Sequence, residues 1–566
     1  MWPAAILLQQ ILEHLYIDHT YLHDIGYWIS LSTKFNPLLI EPASLNAGYS
    51  YFNTHFSPVF LILQIIFNII QGHNPPLFFA CWFWFLGISS IVIALAATLY
   101  QSMNRTGQRL YQQIAILLAV AAATYSYTSS NTWQNSFIDY LHPEIIGMQL
   151  IGSGWLILAF NEINLGNRLQ PERLPASAQT RLGITLILLG SFFHELIGVI
   201  AILLLISIKF YRKGSLHLKD FWSSKEPTIY ISLSLAGWTS LKLCDFFPGS
   251  SQIDSALTRI YLGSPILSHI TPERYLGNLQ ELIARNQFSI MFLFASLAIS
   301  FTVAKRALRL LLLPSIILWA YGLLSPLAVY NKAATLAGHY NYPLSLSFFL
   351  LLLSLSLLAG SRQSRQSVIS ATRVFPAVLL VLFILIPFGQ LTFSQQRIKV
   401  FDQDSLNSLE TSAQIKRTTL KKAPSYFSLF NSISNLWTIS INSNEVIRTL
   451  ASNRQNLFSS VPTSTIKDKG YKSQQTIILV DHSFAALYPN LIGYCNLIAQ
   501  TRQPCLDTII DANTQANLTF LSMQPRDSLD IKMIQEYLTL LSLKHRRRLN
   551  VGRYLNQNYQ ITLFSR

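Results

Sequence analysis

Seven ionisable residues lie inside, or at the borders of, the most apolar stretches of this 566-residue chain. They are Asp24, His55, His142, Glu144, His194, Glu195 and His339. An ionisable side chain at membrane depth is costly unless it faces water, a partner or a substrate, so such residues usually mark functional sites. Carboxylates and imidazoles are also the common general acids and bases of enzymes. The sequence therefore predicts a reactive site within an apolar chain.

Asp24 and His55 are the two candidates for direct chemistry. Asp24 lies in an aromatic-rich segment early in the chain, where it could act as a general base toward a hydroxyl group or cap a helix. His55 precedes Pro58, which favours the first turn of the apolar helix that follows. Its imidazole could carry a proton, bind a metal or bind phosphate, although a histidine at a helix start is more often structural.

A denser group surrounds Pro143, where Asp139, His142 and Glu144 precede or begin an apolar helix. The positive end of that helix favours a nearby anion, as in a substrate-binding site. Together with His55, this group could hold a divalent metal by ligand type. The spacing matches no HExxH-like pattern, however, so we assign no metal ligands. We expect no cofactor, although a divalent metal remains an open alternative.

His194 and Glu195 occupy the middle of the apolar stretch 182–208, and basic residues such as Arg181 and Lys209 lie on both sides of it. Both flanks thus favour the cytoplasm. Two half-length helices that meet at the His–Glu pair in a water-filled cavity satisfy this preference and place the pair on the outer face. The alternative is one straight helix whose His–Glu pair bonds to neighbouring helices.

His339 and Tyr340 precede a further apolar stretch and complete the candidate substrate-binding residues. The histidine stands shortly before Pro343, which repeats the arrangement around His55. Tyrosine at such a position is also a common interfacial anchor.

The composition predicts an α-helical multi-pass membrane protein, because 51% of the residues are hydrophobic and only 12% are charged. Soluble domains carry about 25% charged residues. We expect about nine to eleven membrane segments, half-helices included. Residues 57–71 are short for a span and predict a juxtamembrane helix on the outer surface. The predicted spans are 77–100, 110–130, 144–160, 227–246, 287–304, 307–326, 343–359 and 374–393.

The formal charge of +16 is explained by basic loops on the cytoplasmic side of a plasma membrane rather than by nucleic-acid binding. The loops predicted inside are 101–109, 161–181, 304–309 and 360–373. Those predicted outside are 18–56, 131–143, 247–286, 327–342 and the tail from 394. At the amino terminus, the short apolar segment 2–17 is either the remainder of a truncated span or an interfacial helix, and we favour truncation.

The polar tail predicts a second domain. Residues 1–393 would form the membrane domain, and 394–566 an extracytoplasmic α/β or α+β domain. Strand-like runs occupy 476–480, 518–523 and 559–564, whereas 531–548 looks helical. Cys495 and Cys505 could form a disulfide there if the tail lies outside the cell.

Several motifs together resemble a known family. The chain contains, in order, HDIGYW, NTHFSPVF, DYLHPE, FFHELIG and AGHYNYPL, followed by TIILVDHS in the tail. In these it resembles the bacterial and archaeal membrane family called domain of unknown function 2079, over nearly its whole length. That family is in turn similar to the C-type glycosyltransferases, which take a sugar from a polyprenyl phosphate on the outer face.

The resemblance implies a function. A sugar would pass from a polyprenyl-phosphate donor to an unidentified glycan, lipid or protein acceptor, with membrane lipids as surroundings. Asp24 would be the base, His55 with His142 would stabilise the leaving phosphate, and the other candidates would shape the donor pocket. The family's Lys-Glu-Asp at the hairpin reads His-Glu-Leu at 194–196, so a cation is retained only if His194 is protonated. The alternative is a non-enzymatic transporter or flippase of a lipid-linked molecule.

Overall fold

The structure is a computed structural model that describes most of the apolar part of the chain and the backbone of six strands in the tail. The described ranges of the apolar part are 36–39, 50–70, 75–103, 110–128, 143–166, 178–213, 227–248, 271–302, 305–328 and 331–360, with isolated positions elsewhere. Asp24, His142, the predicted span 374–393, the domain boundary at 393 and the Cys495–Cys505 pair lie outside the described residues. For His339 only the backbone is described.

Twelve helices are described in these ranges, together with 3-10 turns at Tyr51–Asn53, Ser325–Leu327 and Gly338–Ser345. They are α1 Val59–Ile70, α2 Pro75–Met103, α3 Leu110–Thr128, α4 Pro143–Gly166, α5 Ala178–Ser191, α6 Glu195–Lys213, α7 Pro227–Leu243, α8 Pro272–Arg285, α9 Gln287–Thr302, α10 Lys305–Leu324, α11 Asn331–Ala334 and α12 Leu346–Gly360.

Three of these segments are long and apolar enough to cross a membrane, which supports the prediction of a membrane protein. They are Cys81–Ser102, Pro143–Ile163 and Tyr340–Leu357. A fourth would be counted if α8 and α9, which meet at an angle of 82°, were one broken span. A helix is present in the range 57–71, where the sequence predicts a juxtamembrane helix: α1 begins one residue after Pro58, as the sequence indicates.

Helices α4 and α12 form the centre of the bundle. The apolar window of α4 is entirely buried and that of α12 almost so, whereas only 33% of the α2 window is buried. A polar network holds the centre together: Gln149 receives a hydrogen bond from Ser90 at 2.9 Å and donates to the Tyr127 hydroxyl at 3.3 Å. Because buried polar groups need such partners, this network fixes how α2, α3 and α4 pack.

Helices α5 and α6 form a hairpin along α4. Going along α5, Thr180 meets Asn161 and Gly190 packs against Ile151, so α5 runs antiparallel to α4. After the turn, α6 runs back along α4, because its residue Ser207 accepts a hydrogen bond from the Trp155 indole at 3.3 Å. The break that the sequence predicts is therefore present, and the described geometry excludes one straight helix.

The two legs of the hairpin are longer than predicted. Helix α5 has 14 residues and α6 has 19, which correspond to about 21 and 28 Å of helix length. Their turn, Phe192–His194, lies beside Gly147, in the second turn of α4. The predicted meeting of two helices at the His–Glu pair is present, but the legs exceed the half-length that the apolar stretch indicates, because α5 begins at Ala178 and α6 extends to Lys213. The turn lies close to the end of the bundle.

Glycine allows this close packing. A Cβ atom added to Gly154 would lie 2.5 Å from the carbonyl oxygen of Gly183, and one added to Gly147 would lie 2.7 Å from Phe193 Cβ. Small residues commonly let helices approach in this way within membranes. The hairpin is thus fixed against α4 along its length.

Two predicted loops contain helix. Lys305 begins α10, so the basic residues predicted in loop 304–309 lie in the first turn of a helix and the connection to α9 is shorter. Within the predicted outer loop 247–286, helix α8 is capped by Thr271, whose side chain accepts the Arg274 N–H. Its apolar positions fall on one face, a pattern that hydropathy averaged over a long loop does not reveal.

The tail contains a four-stranded sheet of order β3-β4-β6-β5 and a separate two-stranded pair, β1-β2. Strands β3 and β4 are parallel, whereas β4, β6 and β5 are antiparallel neighbours. The three predicted strand runs are confirmed. The helix predicted over 531–548 is wrong at its end, because strand β5 begins at Lys544 and pairs with β6 through that basic run. The strands are β1 Lys399–Val400, β2 Thr418–Thr419, β3 Thr476–Val480, β4 Asn517–Pro525, β5 Lys544–Tyr554 and β6 Gln557–Ser565.

Candidate polar site at the hairpin turn

The hairpin turn meets two other segments at one end of the bundle, which we call the site end. The start of α1 and the residues before it bind the turn directly, since Ser57 Oγ donates to the Phe193 carbonyl at 2.7 Å and the Val59 N–H donates to the Phe192 carbonyl at 3.2 Å. The 3-10 turn at Gly338–Ser345 supplies Tyr342, which reaches His194. Residues that are far apart in the sequence thus share one location.

Glu195 is the centre of this polar cluster. Its Oε1 lies 3.2 Å from His55 Nδ1 and 3.4 Å from His194 Nε2, while Oε2 accepts the Phe56 N–H at 3.0 Å. The two imidazole rings lie 4.8 Å apart, centroid to centroid. As the first residue of α6, Glu195 also suits the positive end of the helix dipole. Three of the predicted site residues, His55, His194 and Glu195, are therefore in direct contact.

A network of backbone and aromatic contacts positions His55. Asn53 donates to the Pro248 carbonyl at 2.6 Å, and the Trp238 indole donates to the Phe52 carbonyl at 2.7 Å. The ring of Tyr51 packs against that of His55 at a centroid distance of 5.3 Å. These contacts tie the segment before α1 to the end of α7, so the imidazole is held toward Glu195.

His194 caps helix α6. Its Nδ1 accepts the Leu196 N–H at 3.2 Å, in the manner of an N-cap side chain that accepts from the second residue of the helix. A ring nitrogen that accepts a backbone N–H carries no proton, so the proton of this imidazole is on Nε2, which faces Glu195. The geometry therefore favours neutral His194, and the cation that the resemblance would require at this position is not supplied by it.

Tyr342 is the member of the cluster that the site prediction did not include. Its hydroxyl lies 3.3 Å from His194 Nδ1. The sequence places Tyr340 and Tyr342 two residues apart, and only the 3-10 geometry of this segment decides which of them turns inward. Tyr340 instead packs near Leu282, Leu336 and Leu344, and its carbonyl accepts the Tyr321 hydroxyl.

Glu144 lies in the first turn of α4 and is buried. Its charge interacts with Tyr342, and α4 packs against the 3-10 turn that carries this tyrosine. Glu144 therefore lies next to the segment that carries Tyr342 of the cluster. Of the metal set considered from the sequence, His142 lies outside the described residues.

The cluster is partly exposed, and its side chains are of types that take part in catalysis and ligand binding. The His55 side chain is 37% exposed and that of Glu195 28%, whereas His194 is 12% exposed. Two imidazoles and a carboxylate can donate and accept protons, hydrogen-bond a phosphate or bind a metal ion. Of these groups, His55, His194 and Glu195 place their ligand atoms within 4.8 Å of one another.

The chain matches no protein-family model, no curated protein and no solved structure. What the fold and the site define is thus a class: a helical membrane protein with an ionisable cluster at one end of its bundle.

Proposed function

We propose that this protein is a membrane glycosyltransferase that moves a sugar from a polyprenyl-phosphate donor to an acceptor on the outer face of a plasma membrane. The observation that supports the proposal is the contact among His55, His194 and Glu195 at the site end of an apolar bundle. A lipid-borne donor presents its phosphate at the membrane surface, where such a cluster could meet it.

The direction of the helices supports an outer location for the cluster. The two flanks of the α5–α6 hairpin, which carry Arg181 and Lys209, extend away from the site end along α4. Basic residues favour the cytoplasm, so the turn between them faces outward. Lys305, which begins α10, fits the same assignment. The protein would thus be multi-pass, with the tail after residue 394 and its sheet on the outer side.

The chemistry requires few groups. The carboxylate of Asp24 would take the proton of the acceptor hydroxyl while the acceptor oxygen forms a bond to the anomeric carbon of the sugar. The bond from that carbon to the phosphate oxygen breaks, and the polyprenyl phosphate leaves with the electron pair. His55 and His142 would donate hydrogen bonds to the leaving phosphate, and the contacts of His55 described above would keep its ring in position.

The remaining candidates would shape the donor pocket. Glu195 orients both imidazoles of the cluster, and Tyr342 fixes the ring of His194. Glu144, His339 and Tyr340 belong to the segments that pack around the same end of the bundle. A hydrogen-bond donor that its neighbours already hold in position loses little conformational entropy when the substrate binds.

Transfer from labelled polyprenyl-phosphate sugars in membranes that contain the full chain tests the proposal. We expect Asp24→Asn to lower the rate by about 100-fold or more, because a general base contributes that much. Glu195→Gln should lower it by at least about tenfold, because His55 loses the carboxylate that orients it. A rate unchanged by Asp24→Asn would remove Asp24 as the base.

The matched control is Glu281→Gln on helix α8. Glu281 is exposed and its ion pair with Arg285 lies within that helix, so the same chemical change should leave transfer intact. Absence of transfer with every donor tested, from protein that is folded and inserted, would overturn the enzymatic proposal and favour the carrier of a lipid-linked molecule.

A further inference from the structure

We propose that His55, His194 and Glu195 bind a single zinc ion at the turn of the α5–α6 hairpin. The ligand atoms that face one another are His55 Nδ1, His194 Nε2 and Glu195 Oε1. The three residues each offer a ligand atom within 4.8 Å of the other two. Metal binding is a property of these residues whether or not the protein transfers sugars.

The spacing of the ligand atoms fits a metal ion. A tetrahedral zinc ion with bonds of about 2.0–2.2 Å separates its ligand atoms by about 3.3–3.5 Å. The carboxylate oxygen lies 3.2 Å from one imidazole nitrogen and 3.4 Å from the other, so two of the three edges already have this length. The third edge, between the two imidazole nitrogens, would have to shorten when the ion binds, through rotation of the His55 ring, which is the most exposed of the three side chains.

The surroundings hold the ligands in place. Glu195 Oε2 accepts the Phe56 N–H at 3.0 Å, which directs Oε1 toward the two rings. The Tyr342 hydroxyl lies beside Nδ1 of His194, where its oxygen can accept a hydrogen bond from the N–H that a metal-bound imidazole carries on its other nitrogen. This shift would release the Leu196 N–H from Nδ1, and the loss of one neutral hydrogen bond is small beside a metal–ligand bond.

The ligand set selects the metal. Two imidazoles and one carboxylate suit zinc and similar transition metals, whereas magnesium and calcium prefer oxygen ligands throughout. A divalent ion would add positive charge beside the Glu195 carboxylate, and three protein ligands leave a coordination position open, as in catalytic zinc sites.

That open position would take a phosphate oxygen of the donor, a role that rests on the proposed function. The zinc ion would then supply the positive charge that neutral His194 does not. The resembled family has Lys-Glu-Asp where this chain has His-Glu-Leu at 194–196. In this chain a bound ion, rather than a lysine side chain, would supply the positive charge at the turn.

The test is the zinc content of the full chain, purified in detergent and dialysed without chelator. We expect one zinc ion per chain by mass spectrometry of the metal, and rebinding of one ion after removal with a chelator. His55→Ala, His194→Ala and Glu195→Gln should each weaken zinc affinity by more than about tenfold, whereas Glu281→Gln should not. Wild-type protein that neither contains nor rebinds zinc would overturn the proposal.

Cobalt distinguishes this site from the cysteines of the chain and avoids reliance on variants that fail to fold. Cobalt added to metal-free wild-type protein should give the visible bands of a tetrahedral ion with nitrogen and oxygen ligands. Thiolate-to-cobalt bands, or a cobalt spectrum unchanged in a folded His55→Ala variant, would place the metal elsewhere and contradict the assignment. Zinc binding without sugar transfer would contradict the proposed function alone, and transfer by zinc-free protein would contradict only the role of zinc in it.

Discussion

At the scale of the residue, the structure joins side chains that the sequence could only propose one by one. His55 and Glu195 are separated by 139 intervening residues, yet their atoms lie 3.2 Å apart. The cost of an ionisable group in apolar sequence identified both as candidates. Their pairing depends on how the segment before α1 packs against the hairpin turn, and sequence spacing carries no information about that contact. The choice of Tyr342 over Tyr340 depends on local 3-10 geometry for the same reason.

The contact of Tyr342 with His194 leads to a prediction at this scale. Tyr342→Phe removes the hydroxyl beside Nδ1 and should lower zinc affinity by about tenfold, because partners of a ligating histidine orient it. Competition of the purified protein with a zinc-binding dye measures this affinity.

Tyr275→Phe is the matched control, since its hydroxyl donates to the Leu323 carbonyl on the outside of the bundle. Equal affinities in the two variants would show that the Tyr342 hydroxyl does not position His194.

At the scale of the element, the hairpin of α5 and α6 is the part of the fold that the charge pattern predicted best. Basic flanks on both sides of one apolar stretch required the chain to turn back, and it does so at Phe192–His194. Its first leg is longer than predicted, because hydropathy begins to rise at Leu182 while the helix begins at Ala178. Glycines decide how closely the legs approach α4, and these positions are not distinguishable from other glycines in a sequence.

A pair of glycine variants tests this packing. In Gly154→Ala, the new Cβ would lie 2.5 Å from the Gly183 carbonyl oxygen, and we expect a loss of about 1–3 kcal/mol in the free energy of unfolding. In Gly322→Ala, nothing lies within 4 Å of the new atom, so the helix should be unchanged or more stable by up to about 1 kcal/mol.

Thermal unfolding of both variants in the same detergent, followed by circular dichroism, provides the comparison. Gly154→Ala should unfold at a lower temperature than the wild type and Gly322→Ala should not. Similar unfolding temperatures for the two would mean that α4 and α5 are not in close contact.

At the scale of the whole molecule, the cluster and the start of the long basic-flanked hairpin lie at different ends of the bundle. The cluster and Glu144 lie at one end, whereas Arg181 lies at the opposite end, beside the final turns of α4. The class of membrane protein and the approximate positions of its helices can be predicted from the apolar stretches, because a bilayer sets the hydrophobicity and the length of the helices that cross it. The parallel pairing of β3 with β4 cannot be predicted in this way, because it depends on contacts between distant segments.

This division predicts the sidedness of the chain. In a cysteine-free background, Arg181→Cys and Lys209→Cys should both react with a membrane-impermeant maleimide in inside-out vesicles and stay protected in intact cells. Asp245→Cys, which follows α7 near the site end and is exposed, should show the opposite pattern. Labelling of Arg181→Cys and Lys209→Cys from different sides would mean that only one leg of the hairpin crosses the membrane.

The cap that His194 places on α6 has one more consequence. The same ring nitrogen that accepts the Leu196 N–H must give up this role when Nε2 binds an ion, because the ring proton then moves to Nδ1. The hydrogen exchange of the Leu196 amide therefore depends on whether a metal ion is bound at the turn. Its exchange with deuterium should be slow in metal-free protein and faster once zinc is bound, while amides deeper in α6 stay protected in both states.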